Sequence, residues 1–294
     1  LSGSYKPSTS IPTKLEKKYG VCRTTVTPSP EDCLVLQCIV ESLISKLLSQ
    51  QPSKNAFFSR SHQAPDASFK FAKDYIWFKQ WRKFAKIRIE VASAHQWVAT
   101  TDIANYFDNI QYEHLRNIIS TYDGIEEVIL DLLFAVLEYL CWRPDYLPSA
   151  KVGLPQVQFD APRLLAHVYL YEIDDYLDKV TDGTFVRWVD DITFAADSAE
   201  ECKVALRDLD TLLQMRGIRL NSGKTHVMPA STARRFFHQR ENDNLTRWND
   251  EFDAAEAAGL PTAAIVSKVR KSFDLFRKRE PFGHSDKIIK RFVG

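Results

Sequence analysis

The stretch Phe185-Val-Arg-Trp-Val-Asp-Asp-Ile-Thr-Phe-Ala-Ala196 places two adjacent aspartates between two short apolar runs rich in β-favouring residues. These runs predict two antiparallel strands, over residues 184–189 and 192–196, joined by a tight turn that carries the acids. An ordinary exposed turn favours Asn-Gly or Asp-Gly over two acids. Adjacent carboxylates that face one site repel each other unless a cation neutralises them. The stretch therefore favours a metal-binding hairpin at the centre of the fold.

A third aspartate ends a separate predicted strand, Gln96-Trp-Val-Ala-Thr-Thr-Asp102. Carboxylates are hard oxygen donors, which suit Mg²⁺ or Mn²⁺. Two such ions can activate a 3′-hydroxyl and stabilise a leaving pyrophosphate. We therefore expect Asp102, Asp190 and Asp191 to form a catalytic, metal-binding set. Three unrelated surface acids would give the same pattern.

The segments around these acids predict a mixed architecture. Apolar periodicity and capping residues predict helices over residues 30–48, 67–87, 112–121, 125–142, 161–176 and 200–215. A further strand is expected to begin at Gly217 and to end near Met228. Strands and helices in this order are typical of an α+β fold with an antiparallel hairpin at its centre.

The composition excludes several classes of protein. The 294 residues are 45% hydrophobic and 26% charged, which is typical of a soluble globular protein and not of a disordered or collagen-like chain. No apolar run reaches the ~18 residues of a membrane span, and the first 19 residues do not resemble a signal peptide. Five scattered cysteines without a CxxC pair indicate a reducing compartment. We expect a cytoplasmic protein with no membrane partner.

The charges are segregated along the chain. Residues 101–180 hold 14 acidic and 5 basic residues, whereas residues 60–88 and 265–294 are strongly basic. This distribution suits a metal-dependent enzyme that acts on a polyanion, although ordinary surface patchiness also produces it. Aromatic residues at helical spacing in the first basic segment are more often core residues than stacking platforms. The candidate nucleic-acid contacts are Lys70, Lys79, Arg82, Lys83 and Lys271.

Four segments occur in a fixed order: Asp102-Ile-Ala-Asn-Tyr-Phe-Asp-Asn-Ile110, Gly153-Leu-Pro-Gln156, Trp188-Val-Asp-Asp191 and Gly217-Ile-Arg-Leu-Asn-Ser-Gly-Lys224. This series resembles motifs A to D of reverse transcriptases. Upstream, Arg23-Thr-Thr-Val-Thr-Pro28 and Phe57-Phe-Ser-Arg60 resemble two motifs of the family's fingers. The resemblance covers about residues 20–228.

The resemblance implies a right-hand polymerase fold. Its fingers would comprise residues 1–95, and its palm residues 96–230, with a fingers-like helical insertion at about 112–150. Residues 231–294 would form a thumb-like helical region or the start of a C-terminal one.

The resemblance also implies roles for the residues of the metal site. Asp102 and Asp190 match the family's main metal ligands, and Asp191 matches a supporting acid. The backbone groups of Ile103 and Ala104 lie where the family faces the metal and the triphosphate.

For the nucleotide, Phe107 matches the steric gate that excludes a ribose 2′-hydroxyl and so implies deoxynucleotide substrates. Arg23 and Arg60 match arginines that clamp the triphosphate. Lys224 matches a lysine near the leaving pyrophosphate, and Gln156 matches the glutamine of motif B. Each cation also has a plain interpretation as a solvated surface residue, and Phe107 as a core residue.

The sequence departs from the family pattern after Gln156. Templating members usually carry glycine next, whereas Val157 adds a branched side chain and Asp160 adds negative charge near the expected path of a polyanion. These departures make the chain resemble bacterial abortive-infection and defence-associated reverse transcriptases. Some members of that group make DNA without a template or from a protein primer.

Several functions stay open at this point. The leading hypothesis is a metal-dependent DNA polymerase of antiphage defence that polymerises dNTPs by two-metal nucleotidyl transfer, with synthesis that is independent of a template and primed on protein. Its expected partners are the dNTP substrate, the DNA product, and an RNA template or a covalent protein primer. The alternatives are a conventional RNA-templated reverse transcriptase of a retron or other retroelement, a catalytically retired scaffold that binds nucleic acid or protein, and a metal-dependent phosphohydrolase. A homo-oligomer is compatible with all of them.

Overall fold

A computed structural model describes residues 5–60, 76–141, 151–156 and 159–293. The strands are β1 (Ile11–Lys18), β2 (Val21–Thr27), β3 (Ala56–Phe57), β4 (Trp97–Asp102), β5 (Phe185–Trp188), β6 (Asp191–Ala196) and β7 (His226–Pro229). The helices are α1 (Pro30–Ser49), α2 (Trp77–Ala94), α3 (Tyr106–Asn109), α4 (Tyr112–Ser120), α5 (Glu127–Leu140), α6 (Asp160–Tyr169), α7 (Tyr171–Val180), α8 (Ala199–Met215), α9 (Ala230–Phe236), α10 (Gln239–Ala257), α11 (Ala263–Phe276) and α12 (Ser285–Val293).

A five-stranded sheet in the order β3-β5-β6-β4-β7 carries the acidic motifs. All its pairs are antiparallel except β3 with β5. The predicted α+β fold and its central β5–β6 hairpin are confirmed. The strand that ends in Asp102 lies between β6 and β7, so later parts of the chain hold it on both edges.

Helices cover both faces of this sheet. Ala99, Ile192 and Phe194 belong to the larger apolar core, together with residues of α1, α5, α6 and α8. Their neighbours Val98 and Ala195 belong to a second core, formed with α2 and α9. Because successive side chains of a strand point to opposite faces, the two cores lie on opposite sides of the sheet.

The N-terminal segment forms a separate hairpin of β1 and β2. The turn at Tyr19-Gly20 has positive φ at both residues, which suits a two-residue hairpin connection. Helix α1 follows and begins as predicted. Ser29 caps it, and the Ser29 hydroxyl accepts a hydrogen bond from the amide of Asp32 over 3.1 Å.

Three predicted elements differ in the structure. The helix expected over residues 161–176 is two helices, because the chain turns at Leu170 between α6 and α7. The strand expected from Gly217 starts only at His226, after a 3₁₀ turn over Ser222–Lys224. The helix expected over 67–87 is described only from Trp77 and continues to Ala94; its first residues lie outside the described ones.

The C-terminal helices α10, α11 and α12 pack around a small core of Leu245, Phe276 and Ile288. We refer to residues 239–293 as the C-terminal helical unit. Among the described helices, none combines the length and the apolar character that crossing a membrane requires.

Candidate functional site

The turn between β5 and β6 presents Asp190 and Asp191. Val189, just before them, has a φ of +54°, a conformation that is strained for a β-branched residue. Two bonds hold it there. Its amide donates to the carbonyl of Phe57 over 3.0 Å, and its carbonyl accepts from Arg187 Nη1 over 2.8 Å. The neighbouring strand and a buried arginine therefore fix the turn.

Arg187 is itself held inside the core. It donates to Asp174 of α7 through two bonds of 2.6 and 2.5 Å, and neither side chain is exposed to solvent. His167 lies 3.3 Å from Arg187 Nη2 and stacks on Phe58. Burial, together with the charge of Arg187, lowers the pKa of His167 well below its usual range, so the ring is neutral at pH 7. This network ties helix α7 to the turn.

The structure brings the three predicted aspartates together. Asp102 and Asp191 are register partners across β4 and β6, and the carbonyl of Asp190 accepts from the amide of Ile103 over 3.2 Å. Lys224 Nζ lies 2.9 Å from Asp102 Oδ2, so this lysine also lies beside the aspartates.

The two adjacent acids of the turn differ electrostatically. Burial, and then the charge of Asp102, raise the pKa of Asp190 to about 6. Burial also acts to raise the pKa of Asp191, but the charges of Lys287 and Arg88 outweigh it and lower that pKa. Asp190 and Asp102 are therefore the pair that a bound cation would relieve of repulsion.

The chemistry of this pair fits a divalent metal ion. Carboxylate oxygens are the donors that Mg²⁺ and Mn²⁺ prefer. Asp102 ends β4, and Asp190 directly precedes β6. As the side chains stand, no three His, Cys, Asp or Glu residues of the described chain form a group arranged to hold a metal ion. Lys224 bonds to Asp102, and Lys287 bonds to Asp191.

The backbone amides of Ile103 and Ala104 in motif A form hydrogen bonds within the protein. The amide of Ile103 donates to Asp190, as described above, and the amide of Ala104 donates to the carbonyl of Arg219 over 2.8 Å. Any contact of Ile103 and Ala104 with a metal or a triphosphate would therefore use their carbonyl groups. This role stays a prediction.

Motif B docks directly on the end of motif A. The amide of Leu154 donates to the carbonyl of Phe107 over 2.8 Å, and the amide of Gly153 donates to that of Ile110 over 2.9 Å. Gly153 has a φ of +96°, and a Cβ there would lie 3.4 Å from the carbonyl oxygen of Asp108. Phe107 is half-buried against the larger core. This position is compatible both with a steric gate and with a core residue.

Asp108 joins two predicted nucleotide contacts that are far apart in sequence. Gln156 donates to its Oδ1, and Arg23 Nε of the N-terminal hairpin lies 3.8 Å from its Oδ2. No role is predicted for Asp108 from the sequence. Its place next to Phe107 was a signal, but the partners of an exposed acid cannot be identified from sequence.

Arg60 lies in a different environment from Arg23. It is 4% exposed, and its guanidinium pairs with Glu41 of α1 and, at 3.8 Å, with Asp160 of α6. It thus bridges two helices of the core. Its expected role as a triphosphate clamp stays a prediction that would require these pairs to open.

The candidate nucleic-acid contacts lie on two helices. Lys79, Arg82 and Lys83 are exposed on α2, beside the exposed rings of Trp77 and Phe78. Arg82 also pairs with Asp250 of α10 at 3.1 Å.

The opposite face of α2 carries Phe84 and Arg88, both buried. The aromatic residues of α2 are therefore divided between core and surface. Lys271 is exposed on α11, and Lys70 lies outside the described residues.

Comparison with solved structures finds distant likenesses. The apo telomerase of Candida tropicalis has 12% identity and a TM-score of 0.51, with 78% of this chain and 45% of that chain covered. A form of it truncated from the C-terminal domain has 13% identity and a TM-score of 0.48, with 75% and 50% covered. The chain thus spans half or less of the length of these proteins. The first likeness supports the fold alone.

No curated protein sequence matches the chain significantly. The model of the family "Reverse transcriptase (RNA-dependent DNA polymerase)" matches residues 16–237. This match includes the second strand of the N-terminal hairpin, the whole five-stranded sheet and all four motifs. The chain therefore belongs to the reverse transcriptase family, whose members are nucleotidyltransferases.

Proposed function

We propose that this protein is a metal-dependent DNA polymerase that adds dNTPs by nucleotidyl transfer. The carrying observation is that Asp102, at the end of β4, lies beside the turn that presents Asp190, with Lys224 bonded to Asp102. The family match supports the same chemistry, because reverse transcriptases generally use divalent metal ions such as Mg²⁺. In this proposal residues 1–95, 96–230 and 231–294 act as fingers, palm and thumb-like region.

Asp102 and Asp190 would hold the metal ions. When bound, these ions supply charge stabilisation for the attacking 3′-oxygen and for the leaving pyrophosphate. The pKa of Asp190, raised to about 6, still leaves this carboxylate mostly ionised at pH 7.5 and available as a ligand. Lys224 would stay close to the leaving group, where its ammonium group can balance negative charge or donate a proton.

The nucleotide would lie against the connected surface of the N-terminal hairpin, motif A and motif B. Arg23 provides a guanidinium for phosphate, and Phe107 provides the ring that limits the sugar to its deoxy form. Asp108 holds Arg23 and Gln156 on either side of its carboxylate. A phosphohydrolase would need the acids but not this second set of residues.

We further propose that the protein acts in the cytoplasm in antiphage defence, with synthesis that is independent of a template and primed on protein. The support is Val157, which lies outside the described residues and follows Gln156 where templating members usually carry glycine. Asp160 gives less support than its sequence position implies. It is 6% exposed and faces Arg60 and Arg163, so its charge is partly balanced inside the protein.

The decisive experiment supplies the purified chain with Mg²⁺ and each labelled dNTP, with and without an RNA template and primer. The matched control is Asp190→Asn, which removes one charge and keeps the shape of the side chain. Polymer made only by the unmodified protein and without nucleic acid, and released from protein by protease, would support template-independent, protein-primed synthesis. Synthesis only with template and primer would establish the conventional reverse transcriptase. No incorporation under any condition by folded protein would establish the retired scaffold.

A further inference from the structure

A lysine near the C-terminal end of the chain reaches the catalytic turn. Lys287 of α12 donates from Nζ to Asp191 Oδ2 over 2.8 Å, across 96 residues of sequence. The side chain of Asp191 is 18% exposed and that of Lys287 is 41% exposed, so the acid is shielded from water while the lysine remains in contact with it. It connects the C-terminal helical unit to one of the two acids that the motif offers to a metal.

The start of α12 is fixed by the fold, so Lys287 approaches Asp191 from a defined position. The amide of His284 donates to the carbonyl of Phe236 over 2.9 Å. Gly283, with a φ of +53°, packs so closely on Phe236 that an added Cβ would clash with its backbone. One turn into the helix, Ile288 enters the core of the C-terminal helical unit.

A second cation acts on Asp191, and it comes from an earlier part of the chain. Arg88 of α2 is 4% exposed and lies over the rings of Phe84 and Phe237, at 4.9 and 4.7 Å. Its Nε and Nη1 atoms are buried without a hydrogen-bond partner, and its charge acts on Asp191. The negative charge of Asp191 is therefore balanced within the protein by α2 and α12.

Asp190 has a different set of neighbours. The charges that act most on it are those of Asp102 and Asp191, both negative, and Lys224 opposes them. Asp191 is thus already paired with cations, whereas Asp190 faces the carboxylate of Asp102. This difference in surroundings indicates different roles for the two acids.

We propose that Lys287 is a positioning residue that makes Asp191 the docking point of the C-terminal helical unit, so that Asp102 and Asp190 hold the metal ions while Asp191 stays bonded to Lys287. The metal part of this inference rests on the proposed function. The docking part does not, because it concerns only the folded chain.

The metal part is tested by titrating the full chain with Mn²⁺ in a calorimeter, without nucleotide. The informative variant is the double substitution Asp191→Asn with Lys287→Met, since it removes one negative and one positive charge together. We expect its Mn²⁺ affinity to lie within about threefold of the unmodified protein, and Asp190→Asn to lower the affinity by about tenfold or more. A double variant that loses as much affinity as Asp190→Asn would identify Asp191 as a metal ligand and overturn the proposal.

The docking part is tested by hydrogen exchange of the backbone amides of α12, in the absence of metal. Lys287→Met and Asp191→Asn should each accelerate exchange over residues 285–293 by about fivefold or more, and the double variant should add little further. Lys287→Arg should restore protection in part. The control is Lys290→Met, an exposed lysine of the same helix, which should leave exchange unchanged.

Two outcomes would count against docking through Asp191. The first is unchanged exchange in Lys287→Met. The second is faster exchange of α12 in the unmodified protein when Mn²⁺ is added, because the ion would then displace Lys287 from Asp191. Failure of the unmodified protein to bind Mn²⁺ would instead overturn the proposed function, and the exchange data would still decide the docking.

Discussion

Arg187 and Asp174 form a two-bond ion pair with no solvent exposure, and the same arginine holds the carbonyl of Val189 at 2.8 Å. The strained residue before Asp190 and Asp191 therefore depends on a charge pair in the core. The pair also anchors α7 to β5, so it serves both stability and the shape of the site.

We expect Asp174→Asn to destabilise the protein by about 3–5 kcal/mol, because it leaves the charge of Arg187 buried without a counter-charge. The measurement is urea unfolding followed by circular dichroism. The matched control is Asp175→Asn on the next residue, whose carboxylate is exposed and pairs with Lys179 at 2.5 Å. Its cost should stay below about 1 kcal/mol. Equal costs for both variants would contradict the importance of the buried pair.

Asp190 should make stability depend on pH. The pKa of this carboxyl group in the folded protein is about 6, above the ordinary value of 3.8. Its stabilising effect is therefore complete below about pH 4 and is lost as the pH rises through 6. This difference in pKa corresponds to about 3 kcal/mol. Without divalent ions, Asp190→Asn should be more stable than the unmodified protein at pH 8, and the advantage should disappear near pH 4.

The unmodified protein and Asp190→Asn also test the metal site. Added Mg²⁺ should raise the melting temperature of the unmodified protein at pH 8 and have little effect on Asp190→Asn, since binding to the folded state alone stabilises it. The measurement is thermal unfolding with EDTA and with Mg²⁺ at both pH values. If Asp190→Asn were less stable than the unmodified protein at pH 8, burial and the charge of Asp102 would not destabilise the ionised form of Asp190.

Phe107 should control the choice of sugar. Phe107→Ala removes the ring that would clash with a 2′-hydroxyl, so incorporation of ribonucleotides relative to deoxynucleotides should rise by about tenfold or more. The measurement is the ratio of kcat/KM for each dNTP and its ribonucleotide. The dNTP rate of the same variant serves as the control for misfolding. An unchanged ratio with a retained dNTP rate would assign Phe107 to the core alone.

Asp108 should affect nucleotide binding more than stability. Its carboxylate is 42% exposed and holds Arg23 and Gln156, so Asp108→Ala should raise KM for dNTP by about tenfold with less change in kcat. Steady-state kinetics at several dNTP concentrations measure this split. Asp123→Ala, an exposed acid in the loop after α4, is the control and should change neither constant. A fall in kcat alone would place Asp108 outside nucleotide binding.

The sequence predicted the local elements of the centre well, because its signals are local. The apolar runs around Asp190 and the cap at Ser29 each determine structure within a few residues. The end of helix α6 at Tyr169 was missed, since the apolar pattern continues past it and no glycine or proline marks the break.

The partners of the site could not be predicted in the same way. Lys287, Arg88 and Asp108 act through residues distant in sequence, and their spacing carries no periodic signal. Arg60 was predicted from its motif to contact a triphosphate. In the structure it is buried, and it pairs with Glu41 and Asp160. Charge pairing across elements is a property of the folded chain.

The place of β4 between β6 and β7 also bears on how the protein is made. A nascent chain that has emerged from the ribosome only to residue 190 contains Asp102 but lacks both strands that hold it in the sheet. Asp102 can meet Asp191 only after β6 is available, and the other edge of β4 is covered only after β7 is available. Translation products that end before β6 would thus hold Asp102 without Asp191, its register partner in the folded protein.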